Sequence, residues 1–394
     1  MFLKNSPRKK EILNLKDTLK NSLLSRYCTS TLIFKHITTS LLSNRVTKKS
    51  SIYLLRFFLK IRYQYLLNTL GEIYFGGKNL EEATKKTEFL KRNEIYSLLD
   101  YALEAGEDEN LFDFTLENII NTIDLACDNI FVPFVVVKPS SLGAISSYEF
   151  NNNYYSVINK PNPEWIKILE RYDKIFSYAQ SKSVKLMVDA EQSWIQPSVD
   201  KIVLKAMKKY NITEVLITLT VQCYKKDSLS YLKYLRNYAE ENNFRIGIKL
   251  VRGAYLEEEL LNSKRTVGSF YTSKDETDTN YQNAIDYIFQ EKLYFTPFFA
   301  THNENNMLFL VNKMRQENLN FWVGQLYGIG DHVSSFFSQY GIRTCKYIPY
   351  GPLEESIPYL LRRIEENAIS TSTFKKENLA IRKELWLRLK GFIK

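Results

Sequence analysis

A chain of 394 residues with 44% hydrophobic content carries apolar material for one large domain or two ordinary ones, which excludes disorder as its overall class. Its formal charge of +10 invites a nucleic-acid partner, but residues 1–50 hold eleven Lys and Arg against Glu11 and Asp17, about +9 of that total. The remainder is nearly neutral and offers no general phosphate-binding surface, so no nucleic-acid partner is expected.

The opening fifty residues are basic, rich in Ser and Thr and poor in acids, the composition of a mitochondrial transit peptide, with a flexible basic tail as the alternative. The run "IYLLRFFLKIRYQYLLNTL" is apolar but broken by Arg56, Lys60 and Arg62. That argues against a membrane span and for a helix packed on the body, so 51–92 is expected to hold N-terminal helices.

From about residue 93 to 394, short β-rich runs alternate with longer helical patterns. The runs are "EIYSLLDYAL", "FVPFVVVK", "KLMVDAE", "EVLITLTVQCY", "FRIGIKLV", "YFTPFFATH", "FWVGQLYG" and "RTCKYIPYG". Most are nearly continuous in Val, Ile, Leu and Phe, as strands buried on both faces should be. Segments such as "DSLSYLKYLRNYAEENN" and "NNMLFLVNKMRQENL" supply the helices, and the Asn-rich "YEFNNNYYSVINKPNPEW" reads as a long surface loop. Eight strand-then-helix units predict an α/β fold, a (β/α)₈ barrel. The alternative is a doubly wound sheet, but no strand leads into a GxGxxG turn.

Active sites of such barrels lie at the C-terminal ends of the strands. Here Lys138 ends "FVVVK", Asp189 and Glu191 end "LMVDAE", Gln222 ends "LTVQ", Arg252 ends "KLVR", Thr301 and His302 end "FFATH", and Tyr347 precedes the final "YGP" turn. Any one of these is readable as the first solvated residue after a strand, but six strands ending alike weigh against coincidence. In "SIPYLLRRIEENA", at about 100° per residue, Tyr359, Arg362, Arg363 and Glu366 share one helical stripe and Ile357, Leu360, Leu361, Ile364 and Ala368 the opposite one. By itself this favours a solvated charged face.

Lys138, Arg252, Arg362 and Arg363 are cations suited to an anionic ligand, with Asp189 and Glu366 to orient them. No Ser/His/Asp nucleophile arrangement is evident, and Asp189, Glu191 and His302 make a weak metal set, so no metal is expected. Cys28, Cys127, Cys223 and Cys345 stand singly with no CxxC pair, and all four are expected to be reduced. This inventory suits binding and orienting anionic groups, which leaves the hard chemistry to a cofactor.

Five stretches together, "LMVDAEQSWIQP", "KLVRGAYLEEE", "ATHNENN", "GQLYGIGD" and "YIPYGPLEESIPYLLRRIEENA", resemble proline dehydrogenase, in family order from about residue 95 to 390. The resemblance implies a distorted (β/α)₈ TIM barrel that binds FAD non-covalently. It also implies oxidation of L-proline to Δ¹-pyrroline-5-carboxylate, the first step of proline catabolism, by hydride transfer from C5 to flavin N5. For the mitochondrial eukaryotic type, it implies electrons passed to ubiquinone on the matrix side of the inner membrane, with the enzyme attached peripherally.

Carried over by motif, Lys138, Arg362 and Arg363 grip the substrate carboxylate. Tyr347 and Tyr359 wall the proline ring beside Ala254, Tyr255 and Leu326. Asp189 holds the polar framework of the pocket. Gln222, Val251 and Arg252 contact the flavin ring system, while Thr301, His302 and Glu366 serve the rest of FAD. Close relatives oxidise hydroxyproline; a tyrosine at Tyr347 resembles the proline-selective form.

Overall fold

The computed structural model describes residues 22–43, 50, 53, 57, 64–103, 108–154, 162–262, 268–317, 319–352 and 371–390. All eight apolar runs are strands: β1 (Tyr96–Tyr101), β2 (Phe134–Val137), β3 (Lys185–Val188), β4 (Ile217–Gln222), β5 (Ile246–Val251), β6 (Phe295–Ala300), β7 (Trp322–Leu326) and β8 (Arg343–Tyr350). They are joined in sequence order into a closed barrel, with parallel pairing through β1 to β6. The first run, which is also readable as a helix, is a strand because its Leu98 and Leu99 pair with Phe134 and Val135.

The chain divides into two compact units, one drawn from positions 98–301 and 305–323, the other from 1–97, 302–304 and 324–394. In the first, the central unit, strand residues such as Leu186, Met187, Val188, Leu219, Ile248 and Leu250 are buried. The Phe134 ring meets Phe298 and Trp322 edge-on, at centroid separations of 5.7 and 5.4 Å. Phe134 and Trp322 open their strands, so their contact buries aromatic surface away from the carboxyl ends, which are left for polar side chains.

Helices follow the strands as expected, among them α1 (Pro163–Ser181), α2 (Ser228–Asn242) and α3 (Lys274–Gln290). Sequence punctuation sets their starts. Asn162 accepts from the Glu164 N–H with Pro163 in the first turn, and Ser273 accepts from the Glu276 N–H.

The Asn-rich segment corrects the loop expectation in part, because Ile145–Tyr154 is a helix. Asparagine is a weak helix former, but here tertiary bonds outweigh propensity. The Asn151 amide donates to Ser198 Oγ at 3.0 Å, Asn152 to the Trp194 carbonyl at 2.5 Å, and the buried Tyr148 hydroxyl to the Pro139 carbonyl at 2.8 Å.

In the second, the terminal unit, α4 (Leu23–Arg26) and α5 (Thr29–Ser43) lie within the stretch expected as a leader, yet they are folded against α6 (Thr371–Leu389). Leu24, Tyr27 and Leu32 share a core with Ala380 and Ile381, flanked by Phe89 and Leu385. The Arg388 guanidinium donates to Thr29 Oγ1 at 3.0 Å. Gln64–Tyr74 and Leu80–Lys91 are helices of the same unit. Among the described residues no helix is long and apolar enough to cross a membrane.

Candidate active site

The parallel strands of the central unit bring their carboxyl ends to one rim, and the polar residues there are wired to one another. Asp100, near the end of β1, is bonded to the Lys138 ammonium that follows β2; their side chains are only 1% and 6% exposed. Burial of either charge without a counter-charge would be costly, so the pairing offsets that cost.

Glu191 is the hub of the rim. The turn after β2 donates twice to its carboxylate, from the Ser140 N–H at 2.8 Å and Ser140 Oγ at 2.7 Å. The Tyr255 hydroxyl lies 3.5 Å away, at the outer edge of hydrogen-bonding distance. The Glu191 carbonyl accepts from the Gln222 amide at 2.8 Å, and Gln222 Oε1 accepts from the Ala254 N–H at 3.3 Å. One glutamate thus sets the positions of the β2 turn, the end of β4 and the loop after β5.

Asp189 is met by Lys249, whose ammonium stands at 2.5 Å. Arg252 holds Asp278 at 3.3 Å through one nitrogen, and the Asn306 amide donates to the same carboxylate oxygen at 3.2 Å. Gly253 follows at φ +117°; a Cβ there would lie 1.9 Å from the Tyr224 ring, so only glycine fits the turn that presents Ala254 and Tyr255. Thr301 is buried, and Val251 closes β5.

In the terminal unit, His302 Nε2 accepts the Leu326 N–H at 3.3 Å. The Tyr327 N–H donates to the carbonyl of the buried Tyr347 at 2.9 Å. Tyr359, Arg362, Arg363 and Glu366 lie outside the described residues.

Asp100 and Lys249 join this array without having been singled out in the sequence. Asp100 closes "YSLLD" as the other polar residues close their runs. Lys249 interrupts the buried run "IGIKLV", where a charge must be paired. Burial raises the Cys223 and Cys345 thiols well above the ordinary range, which removes both as nucleophiles. Among the described residues no group of three or more His, Cys, Asp or Glu side chains is placed to hold a metal ion.

Residues 83–376 match the proline dehydrogenase family model. The chain is 43% identical to the carbapenem antibiotics biosynthesis protein CarD of Pectobacterium carotovorum subsp. carotovorum, over 94% of this chain and 98% of that one. It is 30% identical to the mitochondrial proline dehydrogenase 1 of Dictyostelium discoideum, over 80% of this chain and 64% of that one. Among solved structures, proline utilization A from Bdellovibrio bacteriovorus has the same fold with a TM-score of 0.72 and 18% identity, over 95% of this chain and 43% of that one. The chain therefore spans nearly all of CarD and less than two thirds of the other two proteins. With three quarters of its length inside the family model, its eight-stranded barrel and its rim of paired polar residues, the chain belongs to the proline dehydrogenase family, oxidoreductases acting on proline.

Proposed function

We propose that this chain oxidises L-proline to Δ¹-pyrroline-5-carboxylate with non-covalently bound FAD, and that ubiquinone at a membrane surface takes the electrons onward. The observation that carries this reading is the state of the rim. Asp100, Asp189 and Asp278 are each matched by a cation, and Glu191 accepts two hydrogen bonds from Ser140. Three cation–carboxylate pairs, with a hydrogen-bonded Glu191 and neutral amide and hydroxyl donors beside them, suit a substrate and cofactor that bring their own charge.

The residues present fit a flavin. Gln222 has its amide fixed at both ends, and Arg252 is engaged by Asp278 through a single nitrogen, so further N–H donors remain on its guanidinium. Within the central unit we assign Gln222, Val251 and Arg252 to the flavin ring system and Thr301 to the rest of FAD. Ala254, Tyr255 and Asp189 are assigned to the proline pocket. Within the terminal unit Leu326 and Tyr347 are assigned to the ring wall and His302 to FAD. The sequence motif alone assigns Tyr359, Arg362, Arg363 and Glu366. When bound, the flavin supplies a hydride acceptor.

Lys138 has a narrower part than its charge suggests. With one ammonium hydrogen directed at Asp100, it offers the substrate carboxylate at most its remaining donors, and the two arginine forks carry most of the grip. Within the central unit Tyr255, near the Glu191 carboxylate, shapes the space for a five-membered ring.

Two further questions concern where the reaction serves the cell. The mitochondrial relatives and the basic opening segment support a matrix-side inner-membrane location. Since Leu24, Tyr27, Leu32 and Lys35 are buried, a removed leader would have to end before Ser22. A second reading, in which the product feeds biosynthesis instead of catabolism, is favoured by the near full-length likeness to CarD, a protein named for antibiotic biosynthesis. Hydroxyproline is the alternative substrate.

The testing experiment is to release the cofactor from purified protein by acid, identify it by chromatography, and compare kcat/KM for L-proline and trans-4-hydroxyproline. FAD at about one per chain with proline favoured is the expected result. Protein that neither carries nor takes up FAD would overturn the proposal.

A further inference from the structure

Four charged side chains of the terminal unit are buried together beneath the turn that follows β7. Lys35, Asp331, Lys346 and Glu377 are each no more than 1% exposed. Lys35 meets Asp331 Oδ2 at 2.7 Å and lies 3.6 Å from Glu377, while Lys346 meets Asp331 Oδ1 at 3.0 Å. The Tyr27 hydroxyl also donates to Asp331 Oδ2, at 3.0 Å. Two cations and two anions leave the cluster formally neutral.

The cluster does not merely pair with itself; it takes up the backbone of "LYGIGD". Lys346 donates to the Ile329 carbonyl at 2.5 Å and the Leu326 carbonyl at 3.4 Å. Lys35 donates to the Gly328 carbonyl at 2.9 Å, and the Gly330 N–H donates to Glu377 Oε2 at 3.3 Å. Gly328 sits at φ +77°, and a Cβ there would fall 2.1 Å from the Ile73 carbonyl, so the turn is closed in from that side too. Every polar group of this tight turn named here is thus held by a side chain from α5, β8 or α6, elements distant in sequence.

The electrostatics divide the cluster: burial holds the Lys346 amine below and the Glu377 carboxyl above their ordinary values, while Lys35 and Asp331 are held ionised by their neighbours. Burial disfavours the Lys35 ammonium, yet Asp331 and Glu377 overcome it and hold the amine above its ordinary range. Burial likewise opposes the Asp331 carboxylate, and Lys35 and Lys346 hold it well below the usual carboxylate range. Buried ion clusters are frequently replaceable by apolar residues with no loss of stability. A cluster whose donors are spent on one turn's carbonyls therefore acts on the geometry of that turn.

The turn begins at Leu326, whose N–H is bonded to His302 and whose carbonyl is bonded to Lys346. We infer that Lys35, Lys346 and Asp331 are positioning residues: by fixing the Leu326–Asp331 turn they set the Leu326 side chain in place for proline. The inference rests on the reading that Leu326 walls the proline ring. It gives α5, from the stretch with leader composition, a part in substrate recognition.

The test uses full-length, flavin-loaded protein and compares wild type, Leu326→Ala, the double variant Lys35→Met/Glu377→Gln, and the triple combination. The double variant removes one cation and one anion, so the Lys346–Asp331 pair stays intact and balanced. The expected result is a rise of about tenfold in the KM for proline with kcat per bound flavin within twofold, in both Leu326→Ala and the double variant. Adding the double change to Leu326→Ala should then raise KM by less than twofold.

Loss of folding alone would lower the yield of flavoprotein but would not produce that split or that non-additivity. Should the double variant yield no flavoprotein, Tyr27→Phe, which removes a single bond to Asp331, is expected to raise KM about twofold, and an unchanged KM overturns the inference. A normal KM in the folded double variant beside a raised KM in Leu326→Ala also overturns it while leaving the site assignment standing. A normal KM in Leu326→Ala overturns both.

Discussion

His302 Nε2 accepts a hydrogen bond from the Leu326 backbone N–H at 3.3 Å, which ties the second residue past β6 to the last residue of β7. This bond puts the imidazole proton on Nδ1, because a ring nitrogen that accepts carries no hydrogen. His302→Leu removes the acceptor and leaves the Leu326 N–H without its partner. It is expected to weaken both flavin retention and proline binding, by a factor of about 10 in KM. His302→Gln, which restores an acceptor, should recover KM to within about threefold. Equal defects in the two variants would show that the bond has no part in the site.

The pairing of Lys138 with Asp100 predicts effects of opposite sign. Lys138→Met removes the cation facing Asp100 and the substrate carboxylate and should raise the KM for proline steeply. Asp100→Asn frees a full ammonium charge for the carboxylate and should leave KM unchanged or lower it. Each should also destabilise the fold by about 3–5 kcal/mol, since each strands a buried charge. Steady-state kinetics on folded fractions, with thermal melts alongside, separate the two outcomes; a KM that rises equally in both would assign the pair to structure alone.

Glu191 is expected to behave as the keystone of the central rim. Glu191→Ala leaves the two Ser140 donors unsatisfied, at about 1–3 kcal/mol each, and frees Tyr255. The expected result is a melting temperature lower by roughly 2–7 °C and a kcat/KM reduced by at least about tenfold. Unaltered proline kinetics in Glu191→Ala would remove Tyr255 from the pocket assignment.

The stability of the chain should carry a pH signature from Asp200. Burial pushes its carboxyl up to about 6, against a counter-effect from Gln196, whose amide donates to it at 2.7 Å. The folded state therefore holds this proton more tightly than the unfolded chain does. The stabilising contribution is fully present below about pH 4 and is lost as pH rises through about 6. Above that, burying the charge costs about 3 kcal/mol. Asp200→Asn should be the more stable protein at pH 7 and lose its advantage near pH 4. Melting curves of both proteins from pH 4 to 8 check this, and parallel curves would contradict it.

The barrel was legible in the sequence because parallel strands are buried on both faces and so write continuous apolar runs. Lys138, Asp189, Gln222 and Arg252 were legible because polar residues closing those runs have only the rim to occupy. The Asn-rich helix was missed because the bonds from Asn151 and Asn152 that hold it reach Ser198 and Trp194, beyond any local pattern. Lys35 was hidden more deeply. Its neighbours have leader composition, and the aspartate that makes its burial possible lies 296 residues away. The "YLLRRIEEN" stripe lies outside the described residues, so its part is proposed from its motif alone.

Removal of a hydride from proline by way of a flavin is checked by an anaerobic titration of the purified flavoprotein with L-proline, followed by visible absorbance. The account predicts that the flavin band bleaches at about one proline per flavin and that a pyrroline carboxylate is recovered. It also predicts that Arg362→Ala/Arg363→Ala bleaches only at far higher proline. A flavin band that stays unchanged at saturating proline would contradict it.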